Sequence, residues 1–351
     1  MKRFSAILMA VLMITAVFAG CSTKNETPPP ASNETPNAEA PTGNSGGETV
    51  KTGLSVISTI DKSKSAVDDE GLAQIDSLIV AVTVDNDGKI AACAIDEVQT
   101  KIAFGNDGVI ATALDTTFKS KNELGEAYDM KKASSIGKEW NEQAEAFAAY
   151  VVGKTLDEVR GIAVNEQGVA EDADLLSSVT VHVSDFIAGI EKAVKNARDL
   201  GASAGDKLFL SSETNMSNSA NADEKDGVAQ AYSIYMALTT DDSGLITSCV
   251  IDGSQSNVNF DKVGKITSDL KASLQSKNEL GDAYDMKKAS SIGKEWNEQA
   301  EAFAAYITGK NISEVSGIAV SEEGKAVDAD LISSVTITIS DFISLINKAA
   351  K

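Results

Sequence analysis

The run SLIVAVTVDNDGKIAACAID, residues 77–96, sets two strand-like runs rich in Val, Ile and Ala on either side of a polar cluster of Asp, Asn and Gly. Two such runs broken by a turn cluster predict a β-hairpin, here with its turn over residues 85–88. Residues 232–252, YSIYMALTTDDSGLITSCVID, predict a second hairpin with its turn over residues 241–244. After the first hairpin, residues 119–137 are polar and punctuated by Gly125 and Gly137, which mark a connecting segment. Then the period changes. In KEWNEQAEAFAAYVVGK, residues 138–154, the residues Trp140, Ala144, Phe147, Ala148 and Val151 recur at the spacing of one helix face, and Gly153 closes the helix. Residues 155–164 predict a short helix and a strand. Residues 184–197, SDFIAGIEKAVKNA, predict another helix, with Ser184 or Asp185 as its cap. Strands and helices without regular βαβ alternation predict an α+β fold, an antiparallel sheet with packed helices in each domain.

The pattern is written twice. Residues 120–150, SKNELGEAYDMKKASSIGKEWNEQAEAFAAY, recur as residues 276–306 with one change, Glu126 to Asp282, at an offset of 156. The offset also carries Cys93 to Cys249, Asp96 to Asp252, Trp140 to Trp296 and Thr180 to Thr336. Units of about 150 residues are domain-sized. The chain therefore reads as two similar domains in tandem, residues 51–199 and 200–351, with the boundary near residues 196–207. An acidic motif recurs too: DADLLSSVTVHVSDF at 172–186 and DADLISSVTITISDF at 328–342. Residues 174–178 lack helical periodicity and end in two serines. From Val179 the alternation predicts a strand, with Val179, Val181 and Val183 opposite Thr180, His182 and Ser184. In the second copy Val335, Ile337 and Ile339 oppose Thr336, Thr338 and Ser340. On composition alone, a threonine on such a polar face is ordinary β-propensity.

The N-terminus changes the setting. Lys2 and Arg3 precede an apolar run from Ala6 to Phe18, shorter than the ~20 residues of a membrane span. Residues 1–20 read as a secretory signal. FAGC, ending at Cys21, resembles the lipobox of bacterial lipoproteins, with Phe18 where an aliphatic residue is usual. An ordinary signal peptide with an incidental cysteine is the alternative. Residues 21–50 hold all five prolines of the chain and almost no large apolar residues, so they read as a disordered linker. The expectation is a body anchored through lipid on Cys21 to the outer face of the cell membrane. Loss of Lys2 and Arg3 with the signal takes the formal net charge from −21 to −23, which repels nucleic acid and anionic lipid. Cys93 and Cys249, one per repeat, read as buried thiols and not as a disulfide. No CxxC or zinc spacing occurs. The lone histidine, His182, is Thr338 in the other copy, so a function shared by both copies does not use histidine and no metal site is expected.

The spacing Asp174-Leu-Leu-Ser177-Ser178-Val179-Thr180 resembles the flavinylation motif of FMN-binding domains, usually Asp-x-x-Ser-Gly-Ala-Thr, known from flavin-carrying subunits of sodium-pumping NADH:quinone reductases. Ser178 and Val179, like Ser334 and Val335, depart from the usual glycine and alanine. With the lipoprotein signal, the linker and two copies of YDMKKASSIGKEW, essentially the whole chain resembles the extracellular electron transfer flavoproteins of Gram-positive bacteria. The resemblance implies two FMN groups, each joined covalently by a phosphodiester to Thr180 or Thr336. It implies that a FAD:protein FMN transferase recognises Asp174 and Asp330 around a magnesium ion. Ser177, Ser178, Ser333 and Ser334 would let that enzyme approach. The threonines are then its substrates, and the chain itself carries no catalytic residue. Electrons would pass from membrane quinol-oxidising components to extracellular acceptors such as ferric iron or soluble flavins.

Trp140, Trp296, Tyr128, Tyr284, Met130 and Met286 are candidates to stack on a flavin, with core packing the alternative for each tryptophan. Lys131, Lys132, Lys287 and Lys288 are candidates to balance a phosphodiester, with solvated surface lysines the alternative. A non-redox surface binding or adhesion lipoprotein is the competing function, and the cleaved signal peptide is a candidate pheromone source.

Overall fold

The computed structural model describes residues 47–67 and 70–349. The signal segment, Cys21 and the linker up to residue 46 lie outside the described residues. The first repeat opens with a meander of three antiparallel strands, β1 (Thr49–Thr59), β2 (Gly71–Val84) and β3 (Ile90–Phe104). The β2–β3 hairpin turns at the polar cluster. Asp85 Oδ1 accepts the Asp87 and Lys89 N–H groups at 3.0 and 2.7 Å, and Gly88 takes the left-handed φ of 78° that this turn requires. A two-residue strand β4 (Thr117–Phe118) leads into short helix α1 (Lys121–Leu124), a 3₁₀ turn over Gly125–Tyr128, and then α2 (Trp140–Val151). Helices α3 (Leu156–Arg160), α4 (Ala173–Leu176) and α5 (Val183–Asn196) complete the repeat.

The second repeat follows the same course. Strand β5 (Arg198–Ser203) joins the first sheet beside β1; β6 (Lys207–Asn215), β7 (Gly227–Thr240) and β8 (Ile246–Phe260) form the second meander. Helices α6 (Lys277–Leu280), α7 (Trp296–Ile307), α8 (Ile312–Ser316), α9 (Ala329–Ile332) and α10 (Ser340–Ala349) match α1 to α5. The sheets run β3-β2-β1-β5 and β4-β6-β7-β8, so each four-stranded antiparallel sheet carries one short edge strand beside its meander. The fold is α+β.

Pleating explains the layers. Successive residues of a strand face opposite sides. Leu78, Val80, Val82 and Val84 of β2 pack on Trp140, Phe147, Phe186 and Ile190 of α2 and α5. Ile79 and Ala81, between them, pack on Tyr235 and Ala237 of β7. The same alternation in β7 sends Ile234, Met236 and Leu238 to the helices of the second repeat. The two sheets thus meet face to face with helices outside. Close approach of α5 to β1 depends on Gly53, where an added Cβ would come within 2.1 Å of the Ala193 carbonyl oxygen.

Several contacts between the halves come in exchanged pairs at the 156-residue offset. Lys192 pairs with Glu279 at 2.8 Å and Lys348 with Glu123 at 2.7 Å. Ala66 N–H donates to the Gly264 carbonyl and Ala222 N–H to the Gly108 carbonyl, both at 2.8 Å. Ile110 N–H donates to Asn221 Oδ1 and Ile266 N–H to Ser65 Oγ, both at 2.9 Å. Phe104 stacks on its own counterpart Phe260, centroids 4.3 Å apart. Exchanged pairs of this kind define an isologous, two-fold contact, here made within one chain.

Four local expectations are corrected. Residues 179–184 form no strand. Residues 179–182 are a short link, and helix α5 already begins at Val183, whose N–H and that of Ser184 donate to the Gly168 carbonyl. The alternation of Val179, Val181 and Val183 was too short to separate a strand from a helix entry. Val183, Phe186, Ile190 and Ala193 are the buried stripe of α5. His182 holds the N-cap position, and neither Ser184 nor Asp185 does. Residues 174–178 were read as lacking helical periodicity, yet residues 173–176 form one helical turn, capped by Asp172, which accepts the Leu175 N–H at 2.9 Å. The strand expected within residues 155–164 is reduced to a single bridge between Val164 and Ala170.

Candidate functional site

Helix α2 organises the motif from below. Its N-cap, Glu139, is buried, and its carboxylate accepts the Met130 and Lys131 N–H groups at 2.8 and 3.1 Å. Its own N–H donates to Glu142 at 2.7 Å, closing a capping box. This fastens the loop that follows Asp129, a residue with a left-handed φ of 59°. One turn on, Gln143 is fully buried. Its Nε2 donates to Ser134 Oγ and to the Lys138 carbonyl, both at 3.2 Å. Its Oε1 accepts the Thr180 N–H at 2.8 Å, and the Val181 N–H and Thr180 Oγ1 at 3.2 Å each. The amide therefore ties the loop before α2 to the link carrying Thr180, with both of its ends satisfied.

The second copy repeats the arrangement. Gln299 Oε1 accepts the Thr336 N–H at 2.8 Å, Thr336 Oγ1 at 3.2 Å and the Ile337 N–H at 3.3 Å. Its Nε2 donates to Ser290 Oγ at 3.2 Å and the Lys294 carbonyl at 3.1 Å. Glu295 accepts the Met286 and Lys287 N–H groups, both at 2.9 Å.

The motif residues take distinct places around each threonine. Thr180 and Thr336 are half-buried, between fully buried Val179 or Val335 and exposed His182 or Thr338. Asp174 and Asp330 are exposed in the first turn of α4 and α9. Ser177 and Ser333 are exposed, and their hydroxyls donate to the Asp174 and Asp330 carbonyls at 2.6 and 2.7 Å. Ser178 and Ser334 donate to the Leu175 and Leu331 carbonyls, both at 3.2 Å. These bonds satisfy the C-terminal carbonyls of a one-turn helix.

Other candidates sort by burial. Trp140 and Trp296 are about 5% and 4% exposed and meet Phe186 and Phe342 edge-on at 5.7 and 6.0 Å, so both are core residues. Tyr128, Met130, Tyr284 and Met286 are half-buried along the same edge of the core. Lys131, Lys132, Lys287 and Lys288 are exposed. Cys93 and Cys249 form no disulfide; Cys249 is buried as expected and Cys93 only half-buried at the edge of the core, and desolvation raises the Cys93 thiol to about 12 and that of Cys249 higher still. Among the described residues no cluster of His, Cys, Asp or Glu could hold a metal ion.

Gln143, Gln299, Glu139 and Glu295 were not singled out from the sequence. One signal was present: a polar residue between Trp140, Ala144 and Phe147 interrupts the apolar face. Buried Asp96 and Asp252 were noted only as a matched pair. Each accepts the N–H that opens α1 or α6, from Asn122 at 3.1 Å and Asn278 at 3.0 Å, and burial raises each to about 6.

Chemically, each site offers a hydroxyl and no base. The threonine proton is directed at an amide oxygen, which cannot take it up. The hydroxyl is thereby oriented with its lone pairs free for an incoming electrophile, and Asp174 or Asp330, six residues earlier in the chain, is exposed. That donor set fits a group attached by another enzyme. In comparisons with protein-family models, with curated proteins and with solved structures, nothing matches this chain.

Proposed function

We propose that this protein is a lipid-anchored electron carrier on the outer face of the cell membrane, bearing FMN covalently on Thr180 and on Thr336. The observation that carries the proposal is the pair of matching cradles. In each, a fully buried glutamine fixes a motif threonine by its N–H and its hydroxyl at the same distances, 2.8 and 3.2 Å. Elsewhere the repeats diverge; His182 becomes Thr338 and Glu171 becomes Val327.

In the attachment step, Thr Oγ1 would bond to the FMN phosphorus of FAD. The pyrophosphate bond would break, AMP would leave, and a base of the transferase would take the hydroxyl proton. Asp174 and Asp330 are exposed for recognition by that FAD:protein FMN transferase, and Ser177 and Ser333 leave the approach uncrowded. Once attached, FMN supplies the redox chemistry. The chain supplies position, and a covalent link keeps the cofactor in place in a dilute medium. Membrane quinol-oxidising components would be the donors, and ferric iron or soluble flavins the acceptors.

The test is a denaturing gel of protein co-produced with its transferase. Yellow colour and flavin fluorescence should migrate with the polypeptide. A wild-type band without fluorescence would refute the proposal.

A further inference from the structure

The two halves differ at one buried cation. In the first, Lys121 Nζ lies 4.9 Å from the Tyr128 ring centre and 4.7 Å from that of Trp140, and Glu97 meets its charge at 2.8 Å. On the neighbouring strand Asp76 pairs with Lys62 at 2.7 Å. At the 156-residue offset, Lys62, Asp76, Glu97 and Lys121 become Asn218, Tyr232, Gly253 and Lys277. Two cations with two carboxylates are replaced by one cation and no carboxylate.

Lys277 is only 2% exposed. Its Nζ sits 4.6, 4.7 and 5.0 Å from the ring centres of Trp296, Tyr232 and Tyr284, with the Tyr232 hydroxyl at 3.3 Å. A third ring has taken the place of a carboxylate, and cation–π attraction that of an ion pair. The lost carboxylate's position still faces the lysine. A Cβ built on Gly253 would meet Lys277 Cδ at 3.4 Å. Burial lowers the Lys277 pKa to about 8 against the opposing pull of Asp252 and Asp341, so the amine stays mainly charged at neutral pH.

This charge is connected to the candidate site. Trp296, under the amine, opens α7; Gln299, one turn on, holds Thr336. We infer that the second half holds its redox group at the higher potential, because Lys277 makes no ion pair among the described residues whereas Lys121 is paired with Glu97. A positive charge favours the reduced, more negative form of a nearby group. An electron shared between the halves then resides on the second. The inference rests on the flavin reading of Thr180 and Thr336.

The experiment uses the full chain, co-produced with its transferase, in two single-site forms. Thr180→Ala keeps the second-half flavin and Thr336→Ala the first-half flavin; intact mass is to confirm one flavin on each before spectroelectrochemical titration. Thr180→Ala should show the higher midpoint. Adding Gly253→Glu or Lys277→Met should lower it, and adding Glu97→Gln to Thr336→Ala should raise the other. Equal midpoints, or midpoints unmoved by these changes, overturn the inference alone. Absence of flavin from both forms overturns the functional proposal and the inference with it. A flavin-free arm reads the cage directly. In unloaded Trp140→Phe protein, Trp296 emission should change with pH near 8. Lys277→Met should abolish the change, and Gly253→Glu should move it to higher pH. A flat profile with Lys277 present overturns the unpaired charge.

Discussion

At the residue scale, the account turns on how Thr180 and Thr336 are held. Each backbone N–H and hydroxyl ends on one buried glutamine oxygen. Truncating Gln143 to Ala would orphan the Thr180 and Val181 N–H groups, at a cost of about 1–3 kcal/mol for such a loss. Gln143→Ala should therefore lower the unfolding free energy from urea melts by that amount and reduce flavin at Thr180 while leaving Thr336 loaded, as read by peptide mass mapping. Equal loading at both threonines would show that the glutamine only packs. The motif residues could be read from the repeat, because Asp174, Ser177, Ser178 and Thr180 recur while His182 does not. The glutamine was hidden by the helix rule itself. A stripe of apolar residues defines the buried face, and a polar residue within it counts as noise until its partners, distant in sequence, are known.

At the scale of elements, the long periodic segments were legible. The β2–β3 turn falls at residues 85–88, and α2 buries Trp140, Ala144, Phe147, Ala148 and Val151 as the spacing required. Short segments were not. Residues 179–184 alternate too briefly for period to decide, and the cap interactions around Gly168 settled them as a helix entry. Short helices α1 and α6 depend on caps and on buried Asp96 and Asp252, whose burial carries a testable pH signature. Burial raises both carboxyls from 3.8 to about 6, so the folded state binds protons more readily than the unfolded one. The stabilisation is fully present below about pH 4 and is lost as pH rises through about 6. Asp96→Asn with Asp252→Asn keeps an acceptor for the Asn122 and Asn278 N–H groups and removes the titration. The double variant should flatten this part of the stability profile between pH 4 and 6 in urea melts. It should also be more stable than wild type at pH 7, by up to about 2–3 kcal/mol per site at the 1.36 kcal/mol of a pKa unit. An unchanged slope would show that these carboxyls are solvated.

At the scale of the whole molecule, the two repeats form a face-to-face pair of sheets joined by exchanged contacts. The tandem repeat was plain in the sequence; the pairing was not. The one hint was residues 78–82, apolar at every position, as a strand covered on both faces must be. Nothing in the run says what covers the second face, because Tyr235 and Ala237, which cover it, are the counterparts of Ile79 and Ala81 themselves in the other copy. If the halves fold as one body, Phe104→Ala should remove the stack on Phe260 and cost about 3–5 kcal/mol. It should lower a single unfolding transition, with fluorescence and circular dichroism coincident. Two separated transitions in the wild type would show that the halves unfold independently.

The central claim, two flavins on two threonines, is tested most directly by the intact mass of the mature protein co-produced with its transferase. The account predicts two FMN adducts on the wild type, one on Thr180→Ala, one on Thr336→Ala and none on the double variant. A double variant that still carries two FMN adducts, or a wild type that carries none, would contradict it.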